Sequence, residues 1–115
     1  MKEQERRRED RIEKTLFIQC RRFNTGDTWS SVTIQDVSLS GMRFVANIKF
    51  PIEEILEIKF NTFLKKEPIL IIGKVVASEQ RQKGKNWVTH ISIIQAAAED
   101  NKIFRQFIEI FKKET

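Results

Sequence analysis

A chain of 115 residues, 40% apolar and 32% charged, has room for one hydrophobic core and the composition of a globular domain. Its longest apolar run, Ile69-Leu70-Ile71-Ile72, is too short to cross a bilayer, and the densely charged start lacks the apolar stretch of a secretory signal, so a cytoplasmic location is expected. Cys20 is the single cysteine, which excludes an intrachain disulfide and a cysteine-based metal cluster, and the net charge of +5 is too dispersed for a protein that grips many phosphates.

Residues 1–14 hold six basic and five acidic side chains, with Ile12 the one large apolar group besides Met1. Such a segment cannot bury enough surface to order itself and reads as a flexible, arginine-rich arm ahead of a domain spanning residues 15–115. From Leu16 the pattern takes period two: Leu16, Ile18 and Cys20 alternate with Phe17, Gln19 and Arg21, and Asn24-Thr25-Gly26-Asp27 forms a turn. Val32 and Ile34 mark a second strand that runs into Asp36-Val37-Ser38-Leu39-Ser40-Gly41. Met42 and Phe44 share a face opposite Arg43 and Val45, and Leu56, Ile58 and Phe60 define a fourth strand. The fifth, from Ile69 to Ala77, is apolar on both faces at first and then carries Lys74. A basic hairpin turn over residues 81–86 leads to a sixth strand with Trp87, Thr89, Ile91 and Ile93 on one face. The period then switches: Ile103, Phe104, Phe107, Ile108 and Phe111 fall at helical spacing behind Glu99 and Asp100, which suit a helix N-terminus. Six short strands without intervening helices predict an all-β domain, its antiparallel sheet closed or folded on itself, with the Phe-rich stripe of the last helix packed on the barrel.

Two local patterns carry functional information. Of the four arginines in the arm, only Arg7 and Arg11 stand four apart as Arg-x-x-x-Arg, and Asp36, Ser38 and Gly41 form Asp-x-Ser-x-x-Gly at a strand-to-strand turn. In this order, relative to the strands and the terminal helix, they resemble the PilZ domain family over nearly the whole chain, from about Arg6 to the final helix. The resemblance implies a six-stranded antiparallel β-barrel with a C-terminal α-helix. It also implies a receptor or adaptor that binds the bacterial second messenger cyclic di-GMP and needs no cofactor and no metal. Ligand contacts are thereby assigned to Arg7 and Arg11 of the arm and to Asp36, Ser38 and Gly41 of the turn.

The chemistry of these residue types agrees with that assignment. An arginine fork matches both a phosphate and the O6/N7 edge of guanine, and its plane stacks on a base. Asp36 as a carboxylate accepts from guanine N1–H and N2–H₂, Ser38 adds a hydroxyl, and Gly41 permits a positive φ or a close backbone approach. A plain structural reading stays open beside it: Asp36 and Ser38 cap the turn through bonds to backbone, and Gly41 satisfies turn geometry. Arg6 directly precedes the arginine pair, and similarity to the family links a basic residue there to two intercalated ligand molecules per chain. Arg8 reads as solvated. Where the family commonly has glycine in a Val-Gly-Val-x-Phe strand, this chain has His90 in Thr89-His90-Ile91-Ser92-Ile93. His90 would face outward, toward the ligand, where it contacts it, crowds it or is an ordinary exposed histidine. Trp29 and Trp87 read as partly buried barrel residues rather than stacking platforms.

Competing classes fit less well. An enzyme is not expected: Cys20 shares a face with Leu16 and Ile18, as an inert core thiol would, and there is no phosphate-binding glycine loop, metal-ligand cluster or nucleophile elbow. A small barrel for single-stranded nucleic acid needs surface aromatics interleaved with basic residues, whereas the nine phenylalanines fall mostly on core or helix-packing faces. The remaining alternative is a PilZ-like protein-interaction module without ligand binding. The expectation is therefore a stand-alone receptor whose arm orders around cyclic di-GMP and signals to an unidentified effector protein.

Overall fold

The computed structural model describes residues 16–81 and 86–114, with side chains up to residue 110. Each period-two segment forms a strand: β1 (Leu16–Arg22), β2 (Ser30–Val37), β3 (Gly41–Ala46), β4 (Ile55–Phe60), β5 (Ile69–Arg81) and β6 (Asn86–Ala96), followed by helix α1 (Ala98–Glu114). All neighbouring strands pair antiparallel in the order β1-β2-β3-β6-β5-β4, and β4 closes back on β1. Closure pairs each strand on both sides over its central part, and beyond Lys74 β5 pairs with β6 alone.

The inward positions are those that the alternation marks. Ile18 and Cys20, Val32 and Ile34, Met42 and Phe44, Leu56, Ile58 and Phe60, and Ile91 are all buried. Burial pushes the Cys20 thiol up to about 12, so it stays protonated and unreactive near neutral pH. The fifth strand, apolar on both faces at its start, buries one of them: Ile69 and Ile71 enter the core while Leu70 is exposed. β5 and β6 are also longer than short strands, at 13 and 11 residues, because pairing continues past Ala77 through Ser78–Thr89, Glu79–Val88 and Gln80–Trp87.

Helix α1 closes one side of the barrel with its aromatic stripe. Phe60 meets Phe104 and Phe107 edge-on, with ring centroids 5.5 and 5.0 Å apart, and Ile108 is buried beside them. The Phe111 side chain lies outside the described residues. Asp100 in the first turn does more than complement the helix dipole. It accepts from the Leu70 amide at 3.1 Å and from Lys65 Nζ at 3.0 Å, which ties the helix to β5 and to the loop before it. Burial raises the Asp100 pKa, but the Leu70 amide and Lys65 outweigh it and leave the carboxyl below its ordinary value.

Pairing also fixes which end of the barrel matters. Leu16 lies opposite Ile34 and Cys20 opposite Ser30, so β1 starts at the end where β2 finishes. The chain therefore enters the barrel beside the β2–β3 turn that carries Asp36, Ser38 and Gly41. The division at residue 14/15, the arm with Arg6, Arg7, Arg8 and Arg11, and the tip of the β5–β6 hairpin (residues 82–85) lie outside the described residues.

Candidate functional site

Strict alternation from Val32 and Ile34 would turn Asp36 into the core, where an ionised carboxylate is costly. A bulge prevents this. Ile34 pairs with Phe44 but Asp36 pairs with Arg43, so two steps along β2 match one along β3 and Gln35 is the extra residue. Val37 takes the inward place at 5% exposure, and Asp36 emerges on the outer face. There its Oδ2 accepts from Arg43 Nε at 2.9 Å and also from Arg43 Nη2. This hydrogen bonding, and then the Asp36 charge, raise the Arg43 pKa.

The turn that follows is closed by its own polar groups. The Ser38 amide donates to Gly41 O at 2.8 Å, Ser38 Oγ donates to the same oxygen at 3.3 Å, and Ser38 Oγ stands 3.4 Å from Ser40 Oγ. Ser40 O in turn accepts from the Ile93 amide at 2.8 Å, which anchors the turn to β6. Gly41 is buried, and a Cβ there would lie 2.4 Å from the backbone oxygen of Ile91. Of the two reasons that chemistry offers for a glycine, this structure uses close backbone approach, and the neighbour approached is β6. The capping role thus holds for Ser38, whereas Asp36 binds a side chain instead.

His90 faces outward as its alternation predicts. It is exposed, pairs across β3–β6 with Arg43 and across β5–β6 with Ala77. Asp36, Arg43 and His90 consequently form one lateral row on the outer face of β2, β3 and β6, with Ser38 and Gly41 at its turn end. Arg43 belongs to neither sequence motif. Its signal was present, since Arg43 lies opposite Met42 and Phe44 on the solvent face, two residues after the motif glycine. Arg6, Arg7 and Arg11 fall outside the described residues, so their contacts to this row are not part of the geometry.

Other features lie away from the row. Trp29, half-buried just before β2, has the Arg21 guanidinium 4.2 Å and the Lys59 ammonium 4.3 Å from its ring centre. Lys49 lies 5.2 Å from the Trp87 ring centre. A cavity of about 230 Å³ opens beside Cys20, Arg22, Ser30 and Phe50, at the opposite end of β2 from Asp36. Its arginines are already engaged, Arg22 with Asp27 at 2.9 Å and Arg21 with Glu57 at 2.8 Å. Among the described residues no group of three or more His, Cys, Asp or Glu is placed to hold a metal ion, and no helix is long and apolar enough to cross a membrane.

The chain is thus a closed six-stranded antiparallel barrel, packed by one C-terminal helix and bearing an Asp-x-Ser-x-x-Gly turn. The family model of the PilZ domain matches residues 5–109, a span that takes in Arg6, Arg7 and Arg11 as well as the turn. The chain belongs to the PilZ domain family, a family of cyclic di-GMP receptor domains. Among solved structures it is similar to the Bacillus subtilis inhibitor of motility MotI/DgrA, with a TM-score of 0.70 and 15% identity over 91% of this chain and 50% of that one. It is also similar to the PlzA protein of Borreliella burgdorferi in complex with cyclic di-GMP, with a TM-score of 0.52 and 12% identity over 85% of this chain and 44% of that one. At these identities the likeness establishes the fold, and the chain spans about half the length of either protein or less. No curated protein sequence matches it.

Proposed function

We propose that this domain is a receptor for cyclic di-GMP, which it clamps between Arg7 and Arg11 of an N-terminal arm and the outer-face row beside the Asp36–Gly41 turn. The observation that carries this reading is the entry of β1 at the barrel end that bears the turn. Arg11 precedes Leu16 by five residues, a stretch that spans up to about 17 Å when extended. Strands lie about 4.8 Å apart, so that reach crosses β2 and β3 and arrives at His90. The arm, taken as residues 1–14 ahead of the domain over 15–115, orders only when the ligand joins it to the barrel. That ordering costs free energy, makes occupancy depend on second-messenger concentration, and creates a surface for an effector protein in the bacterial cytoplasm.

In this arrangement Arg7 and Arg11 bind phosphate and the guanine O6/N7 edge, Asp36 accepts from guanine N1–H and N2–H₂, and Ser38 supplies a hydroxyl at the rim. Gly41 acts by holding the turn against β6, and His90 borders the ligand from β6. Arg6 supplies a third guanidinium, which favours two intercalated ligands by offsetting the repulsion among four phosphates and stacking on an outer base. Calorimetric titration with native mass spectrometry is expected to give two cyclic di-GMP molecules per wild-type chain and one per Arg6→Leu chain. One ligand per wild-type chain at saturation would contradict the stoichiometry, two in Arg6→Leu would remove Arg6 as its cause, and no binding at all would overturn the function.

A further inference from the structure

We propose that Arg43 is a positioning residue of this site, the group that fixes the Asp36 carboxylate in the orientation that reads guanine. The inference rests on the cyclic di-GMP reading above and adds to it a residue outside both motifs. Arg43 Nε and Nη2 converge on one oxygen of Asp36, Oδ2, and among the described residues no donor occupies the second oxygen, Oδ1. A free carboxylate turns about a broad torsion and offers its lone pairs in many directions. Pinned at Oδ2, the Asp36 carboxylate is set before the ligand arrives, and a base that presents N–H groups to Oδ1 meets an acceptor already in place.

The support for Arg43 comes from the sheet itself. Residues 36 and 43 face each other across β2–β3, directly after the bulge that turned Asp36 outward. Across β3–β6, Arg43 is backed by His90, and the charge of Glu79 adds to that of Asp36 in raising its pKa. The side chains of Arg43 and Asp36 are 46% and 23% exposed, so the pair is open to solvent on the face where the ligand docks. An ammonium cannot reproduce the grip, because a planar fork supplies two N–H groups in fixed relation and lysine supplies one point charge.

The measurement that isolates this role is base discrimination. Affinities are compared for cyclic di-GMP and for its inosine analogue, which lacks the 2-amino groups that the carboxylate accepts from. Loss of a hydrogen bond to a charged group predicts a wild-type preference for guanine of about tenfold or more. Both Arg43→Ala and Arg43→Lys are expected to reduce that preference to about threefold or less, while the inosine analogue binds nearly as in wild type. Asp36→Asn is expected to erase the preference, with no further effect of Arg43→Ala in that background, as for two residues that act as one unit. An Arg43→Ala protein that keeps the wild-type preference would overturn the proposal. So would one that loses affinity for both ligands by the same factor, which marks Arg43 as a direct phosphate or stacking contact. A wild-type protein that binds neither ligand would overturn the cyclic di-GMP reading itself, and this inference with it.

Discussion

Alanine at Arg7, Arg11 or Asp36 is expected to weaken cyclic di-GMP binding by roughly tenfold to a hundredfold in each case, because hydrogen bonds to charged groups contribute about 1.5–3 kcal/mol. The barrel itself should survive these changes. The described core is built from apolar side chains of β1–β6 and α1, with Phe50 from the β3–β4 connection, and arginine is not a residue type that fills such a core. The ion pair lost in Asp36→Ala is solvent-exposed on the Arg43 side, and such pairs contribute about 0–1 kcal/mol to stability. Lysine at Arg7 or Arg11 is expected to recover little affinity, since both the bidentate fork and the stacking plane disappear. Titration calorimetry, with a thermal melt of each variant alongside, checks both halves of the claim. An Arg7→Ala/Arg11→Ala double variant that binds like wild type would remove the arm from the site.

Gly41→Ala is expected to act differently, through stability. A Cβ at this position falls 2.4 Å from Ile91 O, and that neighbour is backbone inside the β3–β6 pairing, so it cannot swing aside. The two strands must separate locally, which disturbs the Ser40–Ile93 bond that anchors the turn. Overpacking of a tight interior costs about 1–3 kcal/mol. For a domain of this size each kcal/mol lowers the melting temperature by about 4–8 °C, so a drop of roughly 5–20 °C is expected. A Gly41→Ala protein that melts with wild type would show that β3 and β6 do not need the glycine. In binding assays, any loss of affinity in this variant has to be read together with its melt.

Much of the barrel was legible because one face of each strand is buried. Ile18 and Cys20, Met42 and Phe44, and Leu56, Ile58 and Phe60 alternate with polar neighbours, and the phenylalanines of α1 recur at helical spacing. The motif turn was legible for the same reason, since its residues interrupt two clean alternations. What escaped the sequence depends on partners far along the chain. Period two sends Asp36 inward with Val32 and Ile34, and the bulge that reverses it leaves no compositional mark. The outward placement of Arg43 and His90 was legible from alternation, but that Arg43 stands between Asp36 and His90 follows from β2–β3 and β3–β6 register, which no local pattern fixes. Asp100 looked like a helix-dipole residue, yet its bond to the Leu70 amide spans 30 positions. The ends of β5 and β6 are polar enough to read as turn, and pairing between the two strands extends them.

If a ligand closes the arm onto the β2–β3 end of the barrel, amide hydrogen exchange with and without cyclic di-GMP will register the closure residue by residue. Fast exchange is expected over residues 1–11 in the free protein, with strong protection of those residues and of the turn at residues 38–41 once ligand is added. Arm amides that exchange equally in both states, or ligand protection confined to the Arg22–Ser30 end of the barrel, would contradict it.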